Sequence, residues 1–177
     1  NYWSEIHLSQ VGLLNTIPFS LLFDYASAFP SVSHAWVRFM LIFINFPSGL
    51  MSLVLALYNM NKAFMHTDEG IMFMFYILSG VLQGCPLSGS IFVIVIDPLL
   101  HMFKIHIEDK GLGVIRACAD DIGVALKNFR DIAFFNVFFD KFSKMSGLCL
   151  NPKKCVIILT CFVASKSNIE TVRIGIT

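Results

Sequence analysis

Three carboxylates stand where carboxylates are costly: Asp24 in LLFDYASAF, and the adjacent Asp120 and Asp121 in RACADDIGVAL. Each adjoins a short apolar run, in a chain of which only 14% of residues are charged. An acid beside buried strands raises the free energy unless something binds it. A lone Asp and an Asp pair, distant in sequence, can meet on neighbouring strands. Such a donor set can hold two divalent metal ions for phosphoryl or nucleotidyl transfer, because hard oxygen ligands suit Mg²⁺ and paired ions clamp the attacking and leaving oxygens.

The elements that must position these acids follow from the pattern of the chain. Pro18 to Asp24 reads as a buried strand, and the arms around Asp120-Asp121 read as a β-hairpin with the acids at its tip. Ser33 is placed to cap a helix through SHAWVRFMLIFIN, which Pro47 and Gly49 stop; a second helical run goes from Leu50 to Asn59. Residues 61–70 are polar and read as a loop, and IMFMFYIL as a strand or hairpin arm. SGVLQGCPLSGS is too rich in Gly, Ser and Pro for a helix and reads as a shaped loop. A buried helix follows from Ser88 or Ser90, interrupted by Asp97 and Pro98, with Asp97 read as a satisfied core carboxylate or a helix-bend residue. From Asn128 to Ser146 the pattern is helical, with Ile132, Phe135, Phe138, Phe139, Phe142 and Met145 on one face and Gly147 ending it. A turn at Asn151-Pro152 then leads into a buried strand from Cys155 to Val163. The order predicts an α+β fold: a mostly antiparallel sheet with helices packed on one face. With no repeat and no linker, residues 1–177 read as one domain.

Composition narrows the function classes. Hydrophobic residues make up 56% of the chain, with 18 Phe and 8 Met, which is high for a soluble domain. Thirteen Lys and Arg against twelve Asp and Glu give a net charge of +1, far from the basic balance of a complete nucleic-acid-binding domain. Any basic surface is expected in segments outside this chain. Cys85, Cys118, Cys149, Cys155 and Cys161 contain no CxxC pair and are odd in number, so they read as free thiols. The five histidines lack an HExxH spacing and read as structural or surface groups. The first residue is Asn and no signal peptide is visible, so a fragment of a longer product is expected.

Four stretches, in order, resemble the palm of a reverse transcriptase, and most closely the type encoded by non-LTR (LINE-like) retrotransposons. FDYASAF resembles the first palm motif, with its metal-binding Asp and an aromatic residue five positions on. SGVLQGCPLSGSIF resembles the G-V-x-Q-G-x-P-L-S loop and following helix. CADD resembles the aromatic-x-Asp-Asp hairpin, and GLCLNPKKC the G-L-x-x-N-x-x-K turn. Together they run from Phe23 to Cys155. Two residues depart from the pattern: Cys118 stands in place of the usual aromatic, and Pro30 where many relatives have Asp.

The resemblance implies an RNA-directed DNA polymerase palm with part of the fingers, transferring dNTP to a primer 3′-hydroxyl. It implies two Mg²⁺ ions, with Mn²⁺ as a substitute, held by Asp24 and Asp120, with Asp121 in a weaker or supporting role. Phe29 would lie under the sugar of the incoming nucleotide and exclude a 2′-hydroxyl. Gln83 would touch nucleotide or template, and Gly84, like Gly80, would let the backbone come close to a strand. Lys154 would approach the triphosphate and protonate pyrophosphate, with Lys153 as the neighbouring alternative. The implied partners are an RNA template, a DNA primer, dNTP and the rest of a parent polyprotein, with no membrane, in the cytoplasm and nucleus. The clamp of the fingers and a thumb are not recognisable, so an isolated chain is not expected to suffice for polymerisation. Two other readings stay open: a small integral-membrane protein, because Phe39 to Tyr58 is nearly long enough to span, and a non-catalytic palm-like module binding nucleic acid or protein.

Overall fold

Side-chain alternation along Phe19–Phe23 decides the central sheet. Phe19, Leu21 and Phe23 are buried, while Leu22 between them is half exposed. The computed structural model describes residues 18–159. In chain order its elements are β1 (Phe19–Phe23), α1 (Ala28–Ser31), α2 (His34–Phe43), α3 (Ser48–Tyr58), β2 (Lys62–Thr67), β3 (Gly70–Tyr76), α4 (Ser88–Ile107), β4 (Gly113–Cys118), β5 (Asp121–Leu126), a 3₁₀ turn (Phe129–Ile132), α5 (Ala133–Ser146) and β6 (Val156–Leu159). The chain divides into two compact units. One comprises Asn1–Ala26, Pro98–Lys141 and Cys149–Thr177, and the other Ser27–Asp97 and Phe142–Leu148.

The first unit carries a four-stranded sheet in the order β4-β5-β1-β6. Every neighbouring pair is antiparallel, with Phe23 opposite Ile122, Cys118 opposite Asp121, and Leu22 opposite Val156. Its inner face is made by Phe19, Leu21, Phe23, Ile115, Ile122, Val124 and Leu126, all buried. The Phe23 ring lies 5.1 Å from Phe135 and 4.8 Å from Phe139 on α5. Phe103 on α4 closes the cluster at 4.9 and 5.2 Å from the same two rings. Burial of each such ring contributes about 1.5–3 kcal/mol. The outer face is open: Leu22, Val114, Val156 and Ile158 are 44–48% exposed.

β4 and β5 are joined by Ala119 and Asp120 alone, since Cys118 and Asp121 already pair. Ala119 takes φ 53°, and Asp120 is not among the positive-φ residues. Positive φ at the first central residue only is the signature of a type II′ turn, which matches the twist of a hairpin and ordinarily uses glycine there. A positive φ costs a residue with a Cβ roughly 1–3 kcal/mol.

The second unit is built on Trp36. Its ring is buried, its Nε1 donates to the Val95 carbonyl at 3.1 Å, and Phe142 meets it edge-on at 5.9 Å. Val37, Met40 and Leu41 on α2, Val54 and Tyr58 on α3, and Phe92 and Val95 on α4 complete this core. Gly147 ends α5 with φ 82°, its N–H donating to the Ser143 carbonyl at 2.9 Å. A Cβ on Gly147 would run into the Ser31 carbonyl oxygen.

Several expectations are corrected. The polar stretch 61–70 contains β2, which pairs with β3 from Lys62–Tyr76 to Thr67–Gly70; its partner strand, not its own pattern, makes it extended. α4 is continuous through Asp97 and Pro98. Its buried residues Ile91, Phe92, Val95, Ile96, Leu99, Phe103 and Ile107 keep one helical face across the proline, and packing on that face holds the helix together. Asp97 is exposed, not a core carboxylate. α4 is long and apolar enough to cross a membrane, but its sequence is one-sided: a buried stripe with Asp97 and Lys104 outside it. Met145 is 52% exposed; α5 turns Phe135, Phe139, Phe142 and Ser146 inward instead. Ser33 occupies the N-cap of α2 without a side-chain capping bond. β6 is open on one face where a buried strand was expected, and residues 160–163 of that expectation lie outside the described residues.

Two substitutions test these backbone constraints. Ala119→Gly relieves the strained turn and raises unfolding free energy by about 0.5–1 kcal/mol in urea denaturation, the relief exceeding glycine's entropic cost. Gly147→Ala forces a clash with backbone at a positive-φ site and lowers stability by at least about 2 kcal/mol in the same measurement.

Candidate active site

The register of the sheet assembles the carboxylates. Carried one residue past Phe23–Ile122, the β1–β5 pairing sets Asp24 opposite Asp121. On its other side the β1–β6 pairing ends at Leu22–Val156, and Lys154, in the turn before β6, brings its ammonium to Asp24. Cys118 pairs with Asp121 on β4. The end of the open face therefore reads Cys118, Asp121, Asp24 in one row, with Lys154 beside Asp24. Asp120 occupies the turn beside that row, not a strand position, so strict alternation does not fix its facing.

The backbone of Asp24 is tied to the turn that carries Lys154. The Asn151 N–H donates to the Asp24 carbonyl at 2.8 Å, and the Ala26 N–H to the Cys149 carbonyl at 2.8 Å. The Asn151 carbonyl in turn accepts from the N–H groups of Lys154 and Cys155 at 3.0 and 3.2 Å. Asn151 was read from sequence only as part of a turn; here it fixes the Lys154 turn against Asp24. The Asn of the G-L-x-x-N-x-x-K pattern was the available signal.

Lys154 Nζ lies 4.0 Å from Asp24 Oδ1, with the two side chains 65% and 41% exposed. An ion pair this open to water contributes only about 0–1 kcal/mol, so its consequence is the placement of a cation at the carboxylate rather than stability. Tyr25, next to Asp24, is buried with its hydroxyl unpartnered, and burial pushes its phenol up from the ordinary value. Burial likewise pushes the Cys155 thiol up, so both stay protonated near neutral pH. Neither competes with the aspartates as an anion. Cys118, where an aromatic was expected, is an exposed free thiol.

Phe29, Gln83 and Gly84 belong to the second unit. Phe29 is partly buried on α1, its ring stacked on Phe92 at 4.5 Å and 18°. Gln83 and Gly84 are exposed in a turn, Gly84 with φ 83°. That turn is knotted by the Leu82 carbonyl, which accepts from the Cys85 N–H at 3.3 Å and from Ser88 Oγ.

Among the described residues no three His, Cys, Asp or Glu side chains form a cage for a metal ion. Mg²⁺ does not ask for one: it keeps several waters and binds through one or two carboxylates plus substrate phosphates. Asp24 and Asp121, facing each other at an open sheet end beside Asp120, fit that demand.

A family model described as reverse transcriptase (RNA-dependent DNA polymerase) matches residues 14–172. The chain is 35% identical over 101 residues to the retrovirus-related Pol polyprotein from type-1 retrotransposable element R2 of Popillia japonica, a match covering 52% of this chain and 16% of the polyprotein. Among solved structures, telomerase from Candida tropicalis in complex with a TWJ fragment of telomeric RNA aligns with a TM-score of 0.68 at 14% identity, over 86% of this chain and 27% of that one. Apo telomerase from the same species, truncated of its C-terminal domain, aligns at 0.63 and 16% identity, over 89% and 34%. The RNA-dependent RNA polymerase of bacteriophage phi12 aligns at 0.52 and 17% identity, over 80% and 25%. These structures show the fold, a polymerase palm, and the chain spans about a third or less of each. Members of the matched family generally use divalent metal ions. The match over residues 14–172 and the likeness to the R2 polyprotein make this chain a member of the reverse transcriptase family, of the non-LTR retrotransposon type.

Proposed function

We propose that this chain carries the nucleotidyl-transfer centre of an RNA-directed DNA polymerase, adding dNTP to a DNA primer 3′-hydroxyl on an RNA template, inside the cell and as part of a larger polyprotein. The observation that carries the reading is the row Cys118, Asp121, Asp24 at the end of the open face, with Asp120 in the adjoining turn and Lys154 at Asp24.

Asp24 and Asp120 hold two Mg²⁺ or Mn²⁺ ions in this reading, with Asp121 as a third, supporting carboxylate. The chemistry such ions supply when bound is a lowered pKa at the 3′-hydroxyl and neutralisation of charge on the triphosphate and departing pyrophosphate. The protein's own part is positional. Asn151 holds the Lys154 turn to the Asp24 backbone, and the turn at Ala119 fixes Asp120 beside Asp121. Lys154, already at the carboxylate, neutralises triphosphate charge and donates a proton to pyrophosphate. Phe29 presents its ring to the sugar, and Gln83 with the flexible Gly84 meets nucleotide or template.

Three measurements test this. In the element polymerase that contains this domain, Asp24→Asn and Asp120→Asn each lower primer extension on RNA by about a hundredfold or more, and Asp121→Asn lowers it less; full extension with Asn at 120 refutes the assignment. On the chain itself, Mn²⁺ binding followed by loss of the free-ion paramagnetic resonance signal in the presence of dNTP weakens with Asp24→Asn and not with Asp97→Asn. Lys154→Ala lowers kcat by about a hundredfold with a smaller change in KM.

A further inference from the structure

The ring expected to judge the sugar is not held by its own short helix. α1 has only four residues, and Phe29 is half-surrounded on it. What holds it comes from the SGVLQGCPLSGSIF stretch. The Val81 N–H donates to the Phe29 carbonyl at 2.8 Å, and the Gly80 N–H to the Val32 carbonyl at 2.8 Å, so residues 80–81 clasp both ends of the α1 turn. The Gly80 carbonyl is itself fixed by His34 Nε2 at 2.9 Å. Gly80 sits at φ 100°, and a Cβ there would come within 3.2 Å of the Pro30 carbonyl oxygen, so only glycine lets the clasp close this tightly. The ring is fixed from α4: Phe92, 0% exposed, stacks on it at 4.5 Å and 18°. Phe92 has no freedom to follow a moving partner, since Ile91 and Val95 beside it are buried too.

We infer that Phe92 is a positioning residue for sugar selection: it sets the height and tilt of the Phe29 ring, and so the strictness with which a 2′-hydroxyl is refused. The inference rests on Phe29 facing the sugar. A steric filter works only as well as its wall is fixed, because a ring free to tilt yields to one extra oxygen at little cost. With leucine at 92, apolar volume is largely kept while the flat support is lost, and the ring can rotate away from the sugar.

The experiment compares single-nucleotide incorporation of dNTP and the matching rNTP, as the ratio of kcat/KM values, by the element polymerase containing this domain. Phe92→Leu is expected to lower the preference for dNTP by about tenfold, chiefly by improving rNTP use. Phe92→Tyr keeps the ring and keeps the preference. Phe103→Leu, an equally buried ring on the same helix, lowers stability without moving the ratio. Phe29→Val relaxes the ratio by itself, and adding Phe92→Leu relaxes it no further, because Phe92 acts through Phe29. If Phe29→Val relaxes the ratio and Phe92→Leu leaves it unchanged, the positioning role is refuted while the sugar-facing ring stands. If Phe29→Val leaves the ratio unchanged, the sugar-facing reading itself is wrong. A change with Phe103→Leu equal to that with Phe92→Leu also refutes the inference, since general destabilisation then explains both.

Discussion

Everything in the carboxylate row depends on β1 keeping Phe19, Leu21 and Phe23 against the helices. Strand residues alternate, so that burial forces Ser20, Leu22 and Asp24 onto the open face. A slip of one residue would put Asp24 into the aromatic cluster of Phe103, Phe135 and Phe139 and turn three phenyl-sized or branched side chains out to water. At about 1.5–3 kcal/mol for each buried side chain, that register has no near competitor. β1 lies between β5, which begins at Asp121, and β6, which the Lys154 turn precedes. One hydrophobic pattern of five residues thus determines which acids meet and which cation joins them.

The second unit solves a different problem by different means. Its site candidates lie on a short helix and a loop, where alternation gives no guidance. Backbone bonds from residues 80–81 and the Ser88 hydroxyl take over that task, and each closes a turn that the Gly- and Ser-rich sequence leaves free to form. Within this unit α4 supplies the buried Ile91, Phe92, Val95 and Ile96. Residues of α4 therefore belong to both units, its first half beneath Phe29 and its second half in the cluster around Phe23.

The sequence was most legible where period and chemistry agree. β1, the acidic hairpin and α5 were readable because a regular apolar pattern ends at a residue that breaks it: Asp24, Asp120 or Gly147. The Gly/Pro-rich loop was readable as a loop, yet its partners were not, since hydrogen bonds from Gly80 and Val81 to α1 join residues some fifty positions apart and leave no local trace. β2 was missed for the same reason in reverse: Lys62, His66 and Thr67 look like loop residues, and only pairing with β3 makes them a strand. Pro98 misled because proline's local cost was set against nothing; the buried stripe on both sides outweighs it. Asn151 could be seen as a turn residue, but its bond to Asp24 is made by the main chain, which every residue possesses and no pattern advertises.

The charge balance separates the chemistry from the grip on nucleic acid. At the end of the sheet Asp24 and Asp121 lie in neighbouring strand positions, with Asp120 in the adjoining turn and Lys154 at Asp24, a local excess of negative charge that disfavours phosphate. Holding a template and primer needs the opposite: cations spread along the backbone, each displacing a condensed counterion. Thirteen basic against twelve acidic residues cannot supply that over a duplex, and Arg116 on the open face of β4 is already paired with Glu108 at 3.0 Å. What the open face offers instead is apolar, in Leu22, Val114, Val156 and Ile158. Such a surface can pack against sugars and bases but does not attract a polyanion from solution. The open face of this sheet is therefore suited to packing against flat apolar groups rather than to gathering a polyanion by charge.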